Sequence, residues 1–546
     1  MGEWYAKKTF GLLPAEAARR WGEREALIFK DQRWTYAEFD AEVDRMAKGL
    51  MALGVQPGEK VSLWMNNKPE WLFLMYAIPK AGGVLVPLNT RYRTDDISYV
   101  VAQSNSGTLI SDDRSGPIDY MSMIAEVMPD LDKAAGTEQQ LKNFPDLRRV
   151  VFAGESKLEG SFSLDEVIAM GASVSDDELA ARANAVDPDE LTLIGYTSGT
   201  TGDPKGVMHN HINIRCVADR MAMLGITFND THICYLPLFH AYGLSEVAMS
   251  CIVTGARQIL METFDAALAL DLIESEKVTL AHGFEAHWND LLREQETQPR
   301  NVSSLRLGTL PAGTESTIPT AEKAQDVFCP TISGFGMTEI WAYASMSFAT
   351  DTREQRVNAS GFPINGVEFA IGDPDTSEIL PPNTEGELMF KGYTLMMGYY
   401  EKPEATANSF TDDGWFLTGD MGMLREDGQL VFMGRYKDML KVGGENVAPA
   451  EIEARLFELP GVKDVAVVAY PDPRLDEVGI AFIIRTDGTN LTEEEVLAHV
   501  KGRIASFKIP RQVIFVDEFP MTSSGKIQKV KLRALALEIL GTPKVA

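Results

Sequence analysis

The chain of 546 residues carries 51 Lys and Arg against 79 Asp and Glu, a net charge of −28 that argues against a nucleic-acid-binding surface. That length is too great for one compact core, so two or more domains are expected. No apolar run approaches the roughly 18 residues of a spanning helix, the start has no apolar core of signal-peptide length, and Cys216, Cys234, Cys251 and Cys329 show no CxxC spacing. A cytoplasmic protein with reduced core thiols and no stable membrane span is expected.

Thr35 followed by Glu38 makes a capping box, and Phe39, Val43, Met46, Leu50 and Leu53 recur at helical spacing until Gly54 closes the run. Residues 60–65 then read as a strand, 69–80 as a helix and 83–87 as a buried strand. Such alternation predicts layered α/β architecture with parallel strands. Residues 112–189 are richer in Asp, Glu, Gly and Ser, with helical surface segments and no evident chemistry. Alternation resumes from Glu190 to about Asp420. Beyond Gly434 a small α+β unit is expected, with a helix from Pro449, strands near 465–469 and 480–484, a helix from Thr492, a strand near 512–516 and a last helix from Lys529. Residues 501–546 hold nine Lys and Arg against three Asp and Glu, a local excess of +6 that fits either a solvated face or a basic cap over an anionic ligand.

The strongest local signal is Tyr196-Thr197-Ser198-Gly199-Thr200-Thr201-Gly202-Asp203-Pro204-Lys205-Gly206, which leaves the apolar segment 191–195. Its glycines allow a tight turn with inward N–H groups, while Ser and Thr hydroxyls and Lys205 add donors and a cation, the parts that hold a polyphosphate. It is not a P-loop, because Lys205 precedes Gly206 where that motif needs Gly-Lys followed by Ser or Thr.

This loop resembles the signature of the adenylate-forming superfamily, which includes acyl-CoA synthetases, luciferases and peptide-synthetase adenylation domains. Further motifs follow in the family's order, from about Phe10 to Leu540. Pro237-Leu238-Phe239-His240 is similar to the segment whose histidine stands between acyl pocket and adenylate. Alone, His240 reads more readily as a satisfied core or surface histidine than as a site residue. Gly334-Phe335-Gly336-Met337-Thr338-Glu339 is similar to the motif that packs an aromatic ring on adenine and holds magnesium through its glutamate, with Phe335 where many members have Tyr. Trp415 to Asp420 resembles the segment whose aspartate accepts from both ribose hydroxyls. Gly434-Arg435-Tyr436-Lys437-Asp438 matches the interdomain hinge, with Arg435 reaching the nucleotide. Lys441-Val442-Gly443-Gly444-Glu445-Asn446 is similar to the stretch lining the thiol channel, and Pro520 to Lys526 to the segment carrying the adenylating lysine.

The resemblance therefore implies a large multi-subdomain adenylation domain over 1–436 and a small mobile α+β domain over 437–546, hinged near Lys437. It implies ATP and Mg2+ as cofactors, coenzyme A as cosubstrate and a small carboxylic acid as partner, with a homodimer left open. Lys526, Glu339, Thr197, His240 and Lys441 are the implied catalytic set. Thr197, Ser198, Gly199, Thr200, Thr201, Lys205, Gly334 to Thr338, Asp420, Arg435, Lys437, Gly443, Gly444 and Lys526 are the implied nucleotide and coenzyme contacts. Glu339 and Thr197 would hold the metal, and His240, His287, Gly336 and Trp341 would flank the acid.

The chemistry needs such groups because a carboxylate must attack the α-phosphate of ATP although both reactants are anions. Lys526 and the metal on Glu339 would offset that repulsion while the loop holds pyrophosphate. Substrate choice departs from the family. Gly283-Phe284-Glu285-Ala286-His287-Trp288 stands where many relatives have an apolar wall, and Pro311-Ala312-Gly313 replaces the customary Gly-Gly-Ala. A short-to-medium, cyclic or aromatic acid is expected, with Trp288 as core and His287 as a surface residue the alternative reading of the pair. A long-chain fatty acid ligase, a carrier-protein loader, a luciferase-like use of the adenylate and a degenerate nucleotide-binding protein remain alternatives. Six of the seven histidines, His209, His211, His232, His240, His282 and His287, share one segment, but without zinc spacing.

Overall fold

The computed structural model describes residues 7–131, 136, 138–197, 204–312, 317–374, 376–435, 440–447, 449–520, 527 and 529–541. The chain divides into two compact units. One comprises Met1–Thr90, Val101–Tyr196 and Gly206–Gly434, the other Arg91–Val100, Thr197–Lys205 and Arg435–Ala546. The fold is α/β, as the alternation predicts.

Two large sheets build the first unit. In the seven-stranded sheet the order runs Thr331–Ile332, Leu307–Thr309, Leu280–His282, Thr231–Cys234, Arg257–Leu260, Glu25–Phe29 and Gln32–Thr35. Every neighbouring pair there is parallel except the last. The eight-stranded sheet centres on Leu191–Thr197, Val84–Pro87, Lys60–Trp64, Ser106–Ser111 and Arg149–Phe152, which are parallel neighbours in that order. The central strands of both are buried from end to end or nearly so, the pattern of parallel strands covered on both faces by helices. A smaller four-stranded sheet follows, in which Val367–Gly372, Gly386–Gly392 and Phe416–Leu424 are antiparallel neighbours.

The helix Tyr36–Leu53 shows how local chemistry sets these elements. Thr35 accepts from the Glu38 amide while the Glu38 carboxylate accepts from the Thr35 amide, and Gly54 ends the helix at φ 100°. Its buried face is Phe39, Val43, Met46, Leu50 and Leu53, which joins the main hydrophobic core. The polar stretch after Asp112 does hold surface helices, Tyr120–Val127, Leu164–Met170 and Asp176–Asn184. It also contributes two strands to the large sheet, Arg149–Phe152 and Phe162–Ser163, which composition alone conceals. All four cysteines are buried and free. Among the described residues no helix is long and apolar enough to cross a membrane.

In the second unit, Asp476–Arg485 pairs antiparallel with Val462–Asp472 and parallel with Gln512–Phe515. The helices Pro449–Phe457 and Glu493–Val500 pack on one face of this sheet, and Lys529–Leu540 on the other. Residue parity along the strands sorts the two cores. Val465, Val467 and Ala469 face one, while Ala466 and Val468 face the other.

Candidate active site

Three segments of site candidates in the first unit follow the carboxyl ends of parallel strands, where open α/β sheets place their ligands. Tyr235 to Tyr242 follows the Thr231–Cys234 strand, Gly283 to Trp288 follows Leu280–His282, and Gly334 to Glu339 follows Thr331–Ile332. Thr197 ends the Leu191–Thr197 strand, and Lys205 opens the next, Lys205–Asn210.

Residues 334–343 form a tight hairpin. Gly336 pairs with Tyr343 and Met337 with Ala342, and a side chain on Gly336 would collide with the Ala342 carbonyl, so only glycine fits. At the tip, Thr338–Ile340 makes one 3-10 turn that carries Glu339 with 7% exposure. The Tyr399 hydroxyl donates to Glu339 Oε1 at 3.0 Å, and the Met396 amide donates to the Glu339 carbonyl at 2.8 Å. Burial, then the adjacent Glu339 carboxylate, pushes the Tyr399 phenol above its ordinary range, so it stays a donor. His209 Nε2 bonds the Thr338 carbonyl at 2.7 Å, which places the ring proton on Nε2, and burial lowers its pKa to about 4. A Cβ on Gly195 would meet Thr338 Cγ2 at 3.1 Å, so the strand that leads to the glycine-rich loop lies directly against this turn. Phe335 is buried, edge-on to Phe369 and tilted against Phe432. Met337 and Thr338 are half-buried and Gly336 is exposed.

A second group of side chains is aromatic. The Phe284 ring lies 5.1 Å from Tyr242 and 6.1 Å from both His240 and His287, while His287 stacks on Tyr235 at 5.5 Å and meets Phe264 edge-on at 4.8 Å. Backbone amides fix both histidines. Tyr242 N donates to His240 Nδ1 and Phe284 N donates to His287 Nδ1, each at 3.2 Å, so each neutral ring carries its proton on Nε2. The Tyr242 hydroxyl is engaged by Thr309 and accepts from the Tyr343 hydroxyl at 3.1 Å. Trp288 is fully buried with its indole donating to the Thr309 carbonyl at 3.1 Å. Trp288 is thus a core residue, and His287, half-buried, is the one of the pair left beside the aromatic group.

Asp420, with 4% exposure, stands on the Phe416–Leu424 strand next to Gly419, whose φ of 72° suits glycine. In the second unit Lys441 lies on the Leu440–Val442 strand, its amide donating to Glu477 at 2.8 Å. Gly443 and Gly444 both have positive φ, 58° and 84°, in the turn to the Glu445–Val447 strand. Arg435 ends the Leu430–Arg435 strand. Ser198, Gly199, Thr200, Thr201, Gly313, Lys437 and Lys526 lie outside the described residues. Sequence reasoning missed Tyr399, Tyr242 and Tyr343, because no motif carries them and only tertiary contact joins Tyr399 to Glu339.

The model of the AMP-binding enzyme family matches residues 14–400, and that of the AMP-binding enzyme C-terminal domain matches residues 451–526. The chain belongs to the AMP-binding enzyme family. It is 36% identical over 539 residues to a putative acyl-CoA synthetase of Bacillus subtilis, covering 97% of each chain. It is also 34% identical over 519 residues to a propanoyl:CoA ligase of Mycobacterium tuberculosis whose named acyl group bears a methyl-dioxo-octahydroindenyl ring system, covering 95% of this chain and 97% of that one. The fold superposes on a double mutant of o-succinylbenzoate CoA synthetase from Bacillus subtilis with a TM-score of 0.79 and 26% identity, over 95% of this chain and 97% of that one. This member of the family is an AMP-forming carboxylate–CoA ligase. Its Glu339 suits magnesium: a buried carboxylate oriented by a phenol is the hard oxygen donor that this ion takes alongside phosphates.

Proposed function

We propose that this ligase activates a compact cyclic or aromatic acid of short-to-medium length, and that the aromatic group around Phe284 and His287 selects it. The observation that carries this reading is the packing of Tyr235, His240, Tyr242, Phe264, Phe284 and His287 into one aromatic group beyond the carboxyl ends of three neighbouring strands. Rings favour edge and offset contacts with other rings, which reward a planar or cyclic acyl group more than a flexible chain. The ring-bearing acyl groups named for two of the similar proteins support the same reading.

In the proposed mechanism Asp420 accepts from the ribose hydroxyls, and the loop from Thr197 to Lys205 holds the polyphosphate. Glu339, held by Tyr399, and Thr197 would bind magnesium, which when bound supplies charge neutralisation at the phosphates. Lys526 would stabilise the charge that develops at the α-phosphate as the acid's carboxylate attacks and pyrophosphate leaves. His240 presents Nε2–H as a donor beside the acyl group. Residues 437–546, pivoting at Lys437, would then exchange Lys526 for Lys441 to Asn446, where Gly443 and Gly444 let pantetheine approach the backbone. The thiol attacks the acyl carbon and AMP departs. The cytoplasm is the proposed compartment.

A panel of carboxylic acids assayed for pyrophosphate release and for thioester tests the reading. Ring-bearing acids should exceed palmitate in kcat/KM, with His287→Ala narrowing the gap. Highest efficiency on long unbranched acids, unaltered by His287→Ala, refutes the selection.

A further inference from the structure

Immediately after Glu339 and Ile340 the backbone enters the left-handed region twice in succession. Trp341 and Ala342 both have φ 59°, a conformation that side chains with a Cβ disfavour and that persists only where surroundings over-determine it. The surroundings here converge on one buried guanidinium. Arg220, with no exposure, donates to the Tyr343 carbonyl at 2.9 Å and to the Trp341 carbonyl at 3.3 Å, so it grips the chain on both sides of Ala342. Its other terminal nitrogen donates to Ser245 Oγ at 2.6 Å and pairs with Glu246 Oε1 at 2.7 Å, and its Nε donates to Glu246 Oε2 at 3.3 Å.

Three elements thus meet at one side chain. Arg220 lies on the Asn213–Met223 helix, Glu246 and Ser245 lie on the π-helical segment Gly243–Met249, and the carbonyls belong to Trp341, which ends the turn that carries Glu339, and to Tyr343 on the return strand Ala342–Tyr343. A fully buried ion pair is weak evidence for stability, since apolar replacements often do as well. A planar guanidinium whose one terminal nitrogen bonds both carbonyls while its other two nitrogens hold Ser245 and Glu246 is, by contrast, a geometric device that Lys cannot reproduce. The return strand sets the hairpin register, Gly336 against Tyr343 and Met337 against Ala342, and hence the direction of the turn at the tip.

We propose that Arg220, anchored by Glu246, is a positioning residue for the adenylation step. It holds the left-handed Trp341–Ala342 turn and thereby fixes Glu339 and Gly336 toward metal and nucleotide. The inference rests on the assignment of Glu339 as the metal ligand. Groups that orient a metal ligand typically contribute about 10- to 100-fold in metal affinity.

The test uses the full chain with Mn2+ in place of Mg2+ and the non-cleavable nucleotide α,β-methylene-ATP, reading Mn2+ affinity by electron paramagnetic resonance beside urea stability. Arg220→Met with Glu246→Leu removes both buried charges together. It should keep the urea midpoint yet weaken nucleotide-dependent Mn2+ binding by about 10- to 100-fold. Arg220→Lys, which retains the pair with Glu246 but not the planar guanidinium, should show the same loss and decides the matter if the double variant is unstable. Wild-type Mn2+ affinity in Arg220→Lys, or in a stable double variant, overturns the positioning role. Unchanged Mn2+ affinity in Glu339→Gln overturns instead the metal assignment beneath it.

Discussion

His211 offers a prediction whose size follows from the structure. It directly follows the Lys205–Asn210 strand, and its Nδ1 accepts from the Phe10 amide at 3.0 Å while the Phe10 ring meets it edge-on at 5.3 Å. Burial lowers its pKa from 6.5 to about 4, opposed only in part by the Asp187 carboxylate. The unfolded chain therefore takes up a proton as pH falls through 6.5, whereas the folded chain resists until about 4. Stability from this group is complete at neutral pH and is lost with acidification across that window. Between pH 7 and pH 5 the loss is about 2 kcal/mol. His211→Asn keeps an acceptor for the Phe10 amide but has no proton to gain. The variant should be less stable than wild type at pH 7, from the lost ring contact, yet lose about 2 kcal/mol less than wild type on going to pH 5. Urea unfolding at both pH values, compared as the difference of differences, measures it. Equal losses in the two proteins would refute the linkage between burial of His211 and acid sensitivity.

Tyr399→Phe deprives the buried Glu339 carboxylate of its hydroxyl donor, and should raise the Mg2+ concentration for half-maximal pyrophosphate release by about 10-fold with a smaller change in KM for the acid. Lys526→Ala should abolish adenylate formation but still convert synthetic acyl-AMP to thioester, while Lys441→Ala should do the reverse. Equal loss of both half-reactions in folded Lys526→Ala would count against separate roles. Asp420→Ala should raise KM for ATP severely, and 2′-deoxy-ATP should be a poor substrate for the native enzyme; equal use of the two nucleotides would remove Asp420 from the ribose.

The elements that can be read in the sequence are those whose cause is local. The Tyr36–Leu53 helix has its cap, stripe and stop within the segment itself, and so has the Glu493–Val500 helix, capped by Thr492 against Glu495. The antiparallel pairing of residues 367–424 and the strand status of Arg149–Phe152 are not legible, because short buried strands look alike until their neighbours are known. Of the proposed site residues, Glu339, Asp420 and Lys441 stand out because each lies in a contiguous motif that resembles a family segment for phosphate, ribose or thiol.

What the sequence by itself determined is the reaction class, since the motifs that resemble the family's each fit within four to eleven consecutive residues. The tertiary structure decided how those groups are held. Tyr399 meets Glu339 across 60 positions and Arg220 reaches Trp341 and Tyr343 across more than 120. Strand order, which no single segment encodes, brings Tyr235, Tyr242 and His287 into one aromatic group. A buried donor or ring acquires its meaning only from the partner it meets, and that partner is fixed by packing of the whole unit rather than by local propensity.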